Sequence, residues 1–342
     1  MYTLSEAQLK LLPEMSDILQ IRYRLLQTIQ MMGPIGRRAL AEQLSVTERE
    51  VRKETDLLNE QGLIFTSRLG MSISDSGHHV LSKLKSLVHE WSGISSLETI
   101  LTRQFKIKKV IIVPGNNDVE PSVKTLMGTE AANELERLAN GKKTVAVTGG
   151  STVSAIAESL TPSNKFSQLQ FIAARGGIGE EMQLQANTIA SVFASKTGGT
   201  YRTLYLPEYL SENAYTTMMQ EPIVREMIDL YEQTDIVIHG IGSAEEMAVR
   251  RHSSPEDLKA LQSFGAVGEA FGYYFDETGN AVHRIRTVGI QLEQVHKCPS
   301  ILAVAGGTSK AKAILSYIKN PAEQTILITD LAAAEEMIRL LK

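Results

Sequence analysis

The apolar positions along this chain change their period once. From Pro13 to Met32, Ile18, Leu19, Leu25, Leu26 and Ile29 recur at helical spacing, and Gly33-Pro34 ends the run, since glycine frees the backbone and proline cannot continue a helix. A second helix is predicted through GRRALAEQL, with Ala39, Leu40 and Leu44 on one face. After the break at SVT, a third runs through EREVRKETDLLNEQG with Val51, Thr55 and Leu58 inward. Thr47 followed three residues later by Glu50 is a capping box, so this helix starts sharply. LIFTSRLGMSIS then reads as two short strands around Arg68-Leu69-Gly70. Helix, short turn, helix and hairpin together describe a winged helix-turn-helix.

Ser76 to Glu90 is a further amphipathic helix, and WSGISS, Trp91 to Ser96, is rich in the small residues of a linker. Beyond it the pattern changes. Short apolar, β-rich runs at Val110–Val113, Thr144–Val147, Gln170–Ala173, Tyr201–Leu206, Asp235–His239, Ser300–Ala305 and Thr325–Ile328 alternate with helical stretches. Their apolarity is continuous rather than alternating, so both faces are covered, as in a parallel sheet between helices. YYFDETGNAV, Tyr273 to Val282, looks like an inserted hairpin. The chain is therefore predicted to be α/β: a winged helix-turn-helix over residues 1–90, a linker over 91–106, and a doubly wound, mostly parallel sheet domain over 107–342.

Composition narrows the function classes. With 342 residues and 43% hydrophobic content the chain can bury two cores. No apolar run approaches the ~20 residues needed to cross a bilayer, and MYTLSEAQLKLLPEM lacks a secretory leader's layout, so a cytoplasmic protein without membrane partners is expected. The lone Cys298 can form neither an intrachain disulfide nor a thiolate metal site, and no metal is expected. The net charge of −4 means that any nucleic-acid contact must come from local arrangement.

Two places carry candidate chemistry. In the third helix Glu48, Arg49, Arg52 and Lys53 face away from Val51, Thr55 and Leu58. Thr47 and Glu48 could meet base edges, the arginines could grip guanine or phosphate, and Arg37, Arg38 and Arg68 would be backbone contacts. The competing reading is a solvated face of a small helical domain. One such reading helix covers few base pairs, so a homodimer or homotetramer on operator DNA is expected.

The second place is a pair of glycine corners between strand and helix. VAVTGGST places Gly149, Gly150, Ser151 and Thr152 at one helix start, and AVAGGTSK places Gly306, Gly307, Thr308 and Lys310 at another. Unpaired N–H groups at a helix N-terminus can cradle a phosphate, although Gly-Gly can also serve merely as a tight turn. Neither corner has Walker A spacing, and GIGSAEE has Glu245 where a dinucleotide fingerprint needs its third glycine, so no nucleotide cofactor is expected. Ligands of open parallel sheets sit outside the strands' C-terminal ends, where TGGST, ARGGIG, HGIGSA and AGGTSK should gather. Arg175 offers a planar donor fork for phosphate unless it is a surface ion pair, Gln185 could bind a hydroxyl, and Arg250 and Arg251 are weaker candidates because helical arginines usually face solvent. Glu269, in GAVGEAFG, would need donors if buried, which sugar hydroxyls would supply; an exposed loop is the alternative.

With a winged helix-turn-helix ahead of VAVTGGST, ARGG, HGIGS, GAVGE and AVAGGTSKA, the whole chain resembles the SorC-type sugar-responsive transcriptional regulators. The resemblance implies an effector domain similar to glucosamine-6-phosphate deaminase and ribose-5-phosphate isomerase. For the branch that represses glycolytic genes it implies fructose-1,6-bisphosphate as inducer, which would explain two corners for two phosphates. A sugar-phosphate isomerase or deaminase is the alternative. It is disfavoured because the deaminase's Asp-Gly-His set after GIG is replaced here by Ser243-Ala244-Glu245-Glu246.

Overall fold

The computed structural model describes residues 10–177, 181–207, 210–251, 253 and 255–342; the end of the ARGGIG stretch, Ile178 and Gly179, lies outside them. Helices α1 (Pro13–Met32), α2 (Arg37–Leu44) and α3 (Glu48–Glu60) are followed by an antiparallel hairpin of β1 (Ile64–Ser67) and β2 (Gly70–Ile73). Leu25, Leu26, Ile29, Leu40, Val51, Leu58, Ile64 and Met71 close over one core. In α2 the buried set is Leu40, Ala41 and Leu44, whereas Ala39 faces out. The stripe at i, i+3, i+4 and i+7 from Arg37 runs through 40, 41 and 44, which leaves 39 on the far side.

The expected linker is largely helix. After α4 (Asp75–Trp91) the chain breaks only at Ser92-Gly93, where Gly93 takes φ 70, and resumes as α5 (Ile94–Phe105). Ile94, Leu101 and Phe105 on its apolar face are buried in the core of the second unit. Small residues mark a turn here, and the apolar spacing beyond them decides that it is a short one.

Seven parallel strands form the main sheet in the order β3-β13-β12-β7-β4-β5-β6. They are β3 (Lys109–Val113), β4 (Lys143–Val147), β5 (Leu169–Ala173), β6 (Thr200–Arg202), β7 (Ile236–Gly240), β12 (Ser300–Val304) and β13 (Thr325–Asp330). One face buries Ile112, Ala146, Ile172, Val237, Ala303 and Leu327. The other buries Val113, Val145, Phe171, Ile238, Leu302 and Ile328, which is why the runs lack alternation. β6 is shorter than its apolar run, because the Asn187 side chain binds both the N–H (2.8 Å) and the carbonyl (2.9 Å) of Leu204 and draws the chain off the edge.

The crossovers are α6 (Pro121–Leu138), α7 (Ser151–Ser159), α8 (Ala186–Thr197), α9 (Glu212–Met218) and α10 (Pro222–Glu232). A smaller antiparallel sheet in the order β11-β10-β9-β8 contains β8 (Gly242–Ser243), β9 (Ala266–Ala270), β10 (Tyr273–Asp276) and β11 (Ala281–Arg284), the last two being the expected hairpin. Helices α11 (Ala244–Arg250) and α12 (Pro255–Ser263) join β8 to β9, and α13 (Leu292–Lys297), α14 (Ala311–Ile318) and α15 (Leu331–Leu340) complete the chain. Cys298 is buried and burial pushes its thiol up to about 11, so it is inert. Among the described residues no helix is long and apolar enough to cross a membrane.

Asp330, fully buried at the end of β13, ties the C-terminal ends of three strands together. Its carboxylate accepts the N–H groups of Gly307 (2.6 Å), Asn117 (3.0 Å) and Ala333 (2.8 Å), the last bond making Asp330 the N-cap of α15. Leaving a buried donor unpaired costs about 1–3 kcal/mol, so Asp330→Ala is expected to lower unfolding stability by more than about 2 kcal/mol. Asp330→Asn, which keeps one acceptor oxygen at the cap, should cost clearly less. Urea melts of both variants check this, and an Ala variant as stable as wild type would remove the clamp.

Candidate functional site

The C-terminal ends of the parallel strands open into one cleft, as the topology requires. Its lining includes Gly149, Gly150, Ser151, Thr152, Arg175, Gln185, Arg250, Glu269 and Lys310, together with Thr148, Glu246 and Met247. The first corner follows β4. Gly150 takes φ 110, which only glycine adopts without strain, and its N–H donates to the Leu184 carbonyl at 2.8 Å. Ser151 and Thr152 then open α7, presenting hydroxyls beside the free N–H groups of its first turn. Gln185 is the N-cap residue of α8 on the facing wall.

The second corner departs from the expectation of two equivalent cradles. Gly307 has a matching φ of 101, but Gly306, Gly307 and Thr308 do not line the cleft. The Gly307 N–H is taken by Asp330, and the Asp118 carboxylate accepts the N–H and the hydroxyl of Ser309, both at 2.8 Å. Two of the protein's own carboxylates therefore stand where an external anion was expected. From this corner only Lys310 reaches the cleft, 3.9 Å from Glu246.

Glu269 is buried in β9, not in an exposed loop; it lines the cleft and already has donors within the protein. It accepts from Arg251 at 2.9 Å, Arg175 at 3.3 Å and the Gly272 N–H at 2.6 Å. Burial drives its carboxyl up, yet the Arg251 and Arg175 guanidiniums outweigh that and leave it below its ordinary value. Burial, and then Arg251, pull Arg175 down to about 10, so it stays a cation at neutral pH. Arg175 is thus the buried partner of an ion pair, not a surface one, while also lining the cleft. Arg251, only a weaker candidate from the sequence because helical arginines usually face solvent, is buried. It follows α11 and turns inward against Tyr274 (3.0 Å), whereas Arg250 faces solvent. Two consecutive arginines at a helix end cannot share a face, so only one of the pair turns to Glu269. His239 is fully buried with its ring 4.4 Å from that of Phe271 and 4.9 Å from that of Tyr317, and burial holds it down at about 4. It is a neutral packing residue rather than a general acid or base.

In the winged unit Glu48, Arg49, Arg52 and Lys53 are exposed along α3, and Arg68 is exposed at the hairpin tip. Thr47 is committed to its cap: its hydroxyl accepts the Glu50 N–H at 3.2 Å, and its own N–H donates to the Glu50 carboxylate at 2.9 Å. Arg37 differs from the other expected phosphate contacts, because Asp56 holds it at 2.5 Å and stitches α2 to α3. Arg38 extends into solvent beside Glu42 at 3.5 Å.

Comparison with known proteins agrees with this two-part design. Residues 18–88 match the family model of the CggR N-terminal DNA binding domain, and residues 89–339 match the one described as "Putative sugar-binding domain". The central glycolytic genes regulator of Priestia megaterium is 45% identical over 340 residues, covering 99% of both chains. That of Bacillus subtilis is 43% identical over 339 residues, again 99% of each. Among solved structures, a "putative SorC family transcriptional regulator" from Enterococcus faecalis superposes with TM-score 0.66 at 42% identity, over 71% of this chain and 99% of that one. The full-length sorbitol operon regulator SorC from Klebsiella pneumoniae, 18% identical, shares the fold over 90% of this chain and 94% of its own, with TM-score 0.67. A DNA-binding domain of this type joined to a sugar-binding domain, shared over full length with relatives that are regulators of transcription and not isomerases or deaminases, settles the class: this chain is a member of the SorC family of transcriptional regulators, beside the central glycolytic genes regulators.

Proposed function

We propose that this protein is a cytoplasmic repressor of glycolytic genes that leaves its operator when fructose-1,6-bisphosphate enters the cleft. The observation that carries the reading is that one cleft holds two poles suited to anions: the Gly149–Thr152 corner on one side, and the Lys310 and Arg250 cations on others. A single phosphate uses one pole, whereas a sugar with phosphates at both ends uses both. Backbone N–H groups and the Ser151 and Thr152 hydroxyls would cradle one phosphate, Lys310 and Arg250 the other, and Gln185 a sugar hydroxyl. Arg175 and Glu269, joined to Arg251, form a buried floor that lines the same cleft and completes the set of ligand contacts. The relatives' name, central glycolytic genes regulator, supports the choice of genes.

At the other end, Glu48, Arg49, Arg52 and Lys53 enter a major groove with Thr47 at the helix start, and Arg38 and Arg68 meet phosphates. A dimer or tetramer places two such helices on paired half-sites. The ligand can loosen that assembly only by its difference in affinity for the bound and released arrangements, tenfold being about 1.4 kcal/mol.

Titration calorimetry with a panel of sugar mono- and bisphosphates, alongside operator gel shifts, tests the reading; absence of heat with every bisphosphate would overturn it. Lys310→Ala should weaken fructose-1,6-bisphosphate by about 1.5–3 kcal/mol, roughly 10–100-fold, while operator affinity without ligand stays as in wild type. Unaltered ligand affinity would exclude Lys310 from the site. Arg52→Ala should weaken operator binding and reduce the slope of log K against log salt by about 0.9, with ligand heat preserved. An unchanged slope and affinity would reject this orientation of α3.

Removing the floor's carboxylate leaves two guanidiniums buried without it, so Glu269→Gln should cost about 3–5 kcal/mol at neutral pH. The folded-state carboxyl lies below its unfolded value, so its contribution is full above the unfolded pKa of about 4.3 and is lost as pH falls through the lower folded one. The gap between wild type and variant in denaturant melts should be flat above about pH 5 and close below about pH 4. A gap independent of pH would show that the loss is one of packing.

A further inference from the structure

We propose that residues Asn116 to Glu120 are a strap coupling the cleft to the helix-turn-helix, and that Asp118 is the positioning residue that anchors it. On one side the strap holds the second glycine corner. The Asn116 amide donates to the Thr308 hydroxyl at 3.2 Å, and the Asp118 carboxylate takes the Ser309 N–H and hydroxyl at 2.8 Å each. A Cβ on Gly307 would collide with that carboxylate, so the corner is shaped around Asp118. On the other side, the Val119 carbonyl accepts the Ser45 hydroxyl and the Glu120 carboxylate accepts the Arg24 guanidinium. One turn further, the Ser122 hydroxyl donates to the Gln43 carbonyl at 2.9 Å. Ser45 is the left-handed C-cap of α2, two residues before the Thr47 cap of α3, so the strap touches the turn of the reading head itself.

The strap is buried at its end, where Glu120 lies, and exposed in its middle. The Asn117 N–H is held by the fully buried Asp330, whereas Asp118 and Val119 are exposed and kept in place by polar bonds alone. Asp118 and Val119 are consecutive, with Cα atoms about 3.8 Å apart, so a shift of one carries the other. Lys310 belongs to the same three-residue turn as Ser309 and lines the cleft. An anion there competes with Glu246 for Lys310, moves the turn, and draws Asp118 with it. Val119 and Glu120 then slide against Ser45 and Arg24. This last step rests on the cleft's binding an anionic ligand; the strap's grip on the reading head does not.

The test uses the full-length protein and has two arms. Without ligand, Asp118→Ala should speed hydrogen exchange of the amides at residues 45–50 by about tenfold, since local opening there loses its tether. Asp118→Asn, which keeps an acceptor oxygen, should restore most of the protection. Exchange at 45–50 equal to wild type in the Ala variant overturns the strap whether or not any sugar phosphate binds. In the second arm, operator affinity is measured by fluorescence anisotropy with and without saturating fructose-1,6-bisphosphate as the probe. Asp118→Ala and Ser45→Gly should each shrink the ratio of the two affinities at least about fivefold, while calorimetric affinity for the probe stays within about twofold of wild type. The double variant should lose no more than either alone, because both cut one path. A wild-type ratio in both single variants overturns the coupling. Absence of heat from the wild-type protein with the probe overturns the ligand assignment instead, and leaves the exchange arm to decide the strap.

Discussion

A carboxylate cannot be buried without positive charge and hydrogen-bond donors around it, and the upper half of this molecule is arranged to meet that demand at Glu269. Its partners come from three separate stretches: Arg175 after β5 of the parallel sheet, Arg251 after α11, and the turn at Gly272 in the smaller sheet. Arg175 also makes an isolated antiparallel bridge with Gly289. Satisfying one charge therefore welds the antiparallel sheet to the parallel one and sets the floor of the cleft. A pair of apolar residues could fill the same volume and be as stable. It would not hold a guanidinium at the cleft wall, nor specify which strands must meet there.

The two glycine corners show how little of a binding site is decided by its own sequence. Gly149-Gly150 and Gly306-Gly307 take nearly the same backbone turn, with φ of 110 and 101 at the second glycine. The first opens its helix into the cleft. The second is closed by Asp118 and Asp330, supplied by loops that follow β3 and end β13. An N–H nest will take whichever oxygen acid reaches it, and one tethered in the same chain has an entropic advantage over one arriving from solution. Closed in this way, the second corner fastens the segment that lies against α1 and α2.

That segment gives the two-domain design its logic. The winged unit and the sheet domain have separate cores, with Met31 of α1 packed against the edge of the second. What joins them besides the short break at Ser92-Gly93 and the Met31 contact is largely polar and includes Arg24 with Glu120, Lys85 with Glu130 at 2.7 Å, and Ser122 with Gln43. Polar seams between domains are weak enough to rearrange at modest cost, whereas apolar ones are not.

The sequence alone determined the elements whose physics is local. Period and caps set α1, α3 and the wing, the Thr47 and Glu50 pair marked the start of α3, and continuous apolar runs announced a sheet covered on both faces. The glycine corners, Arg175, Gln185, Glu269 and Lys310 were legible as residue types that gather at strand ends, and the topology brings most of them into one cleft. What only the tertiary structure decided was the partner of each polar group. Arg251 turned inward while Arg250 did not, Arg37 was claimed by Asp56, Glu269 by two arginines, and the second corner by Asp118 across 191 residues of chain. A backbone turn is written in a few neighbouring residues, but the charge that satisfies a buried or cradled group comes from wherever the fold brings it, and no local spacing records that.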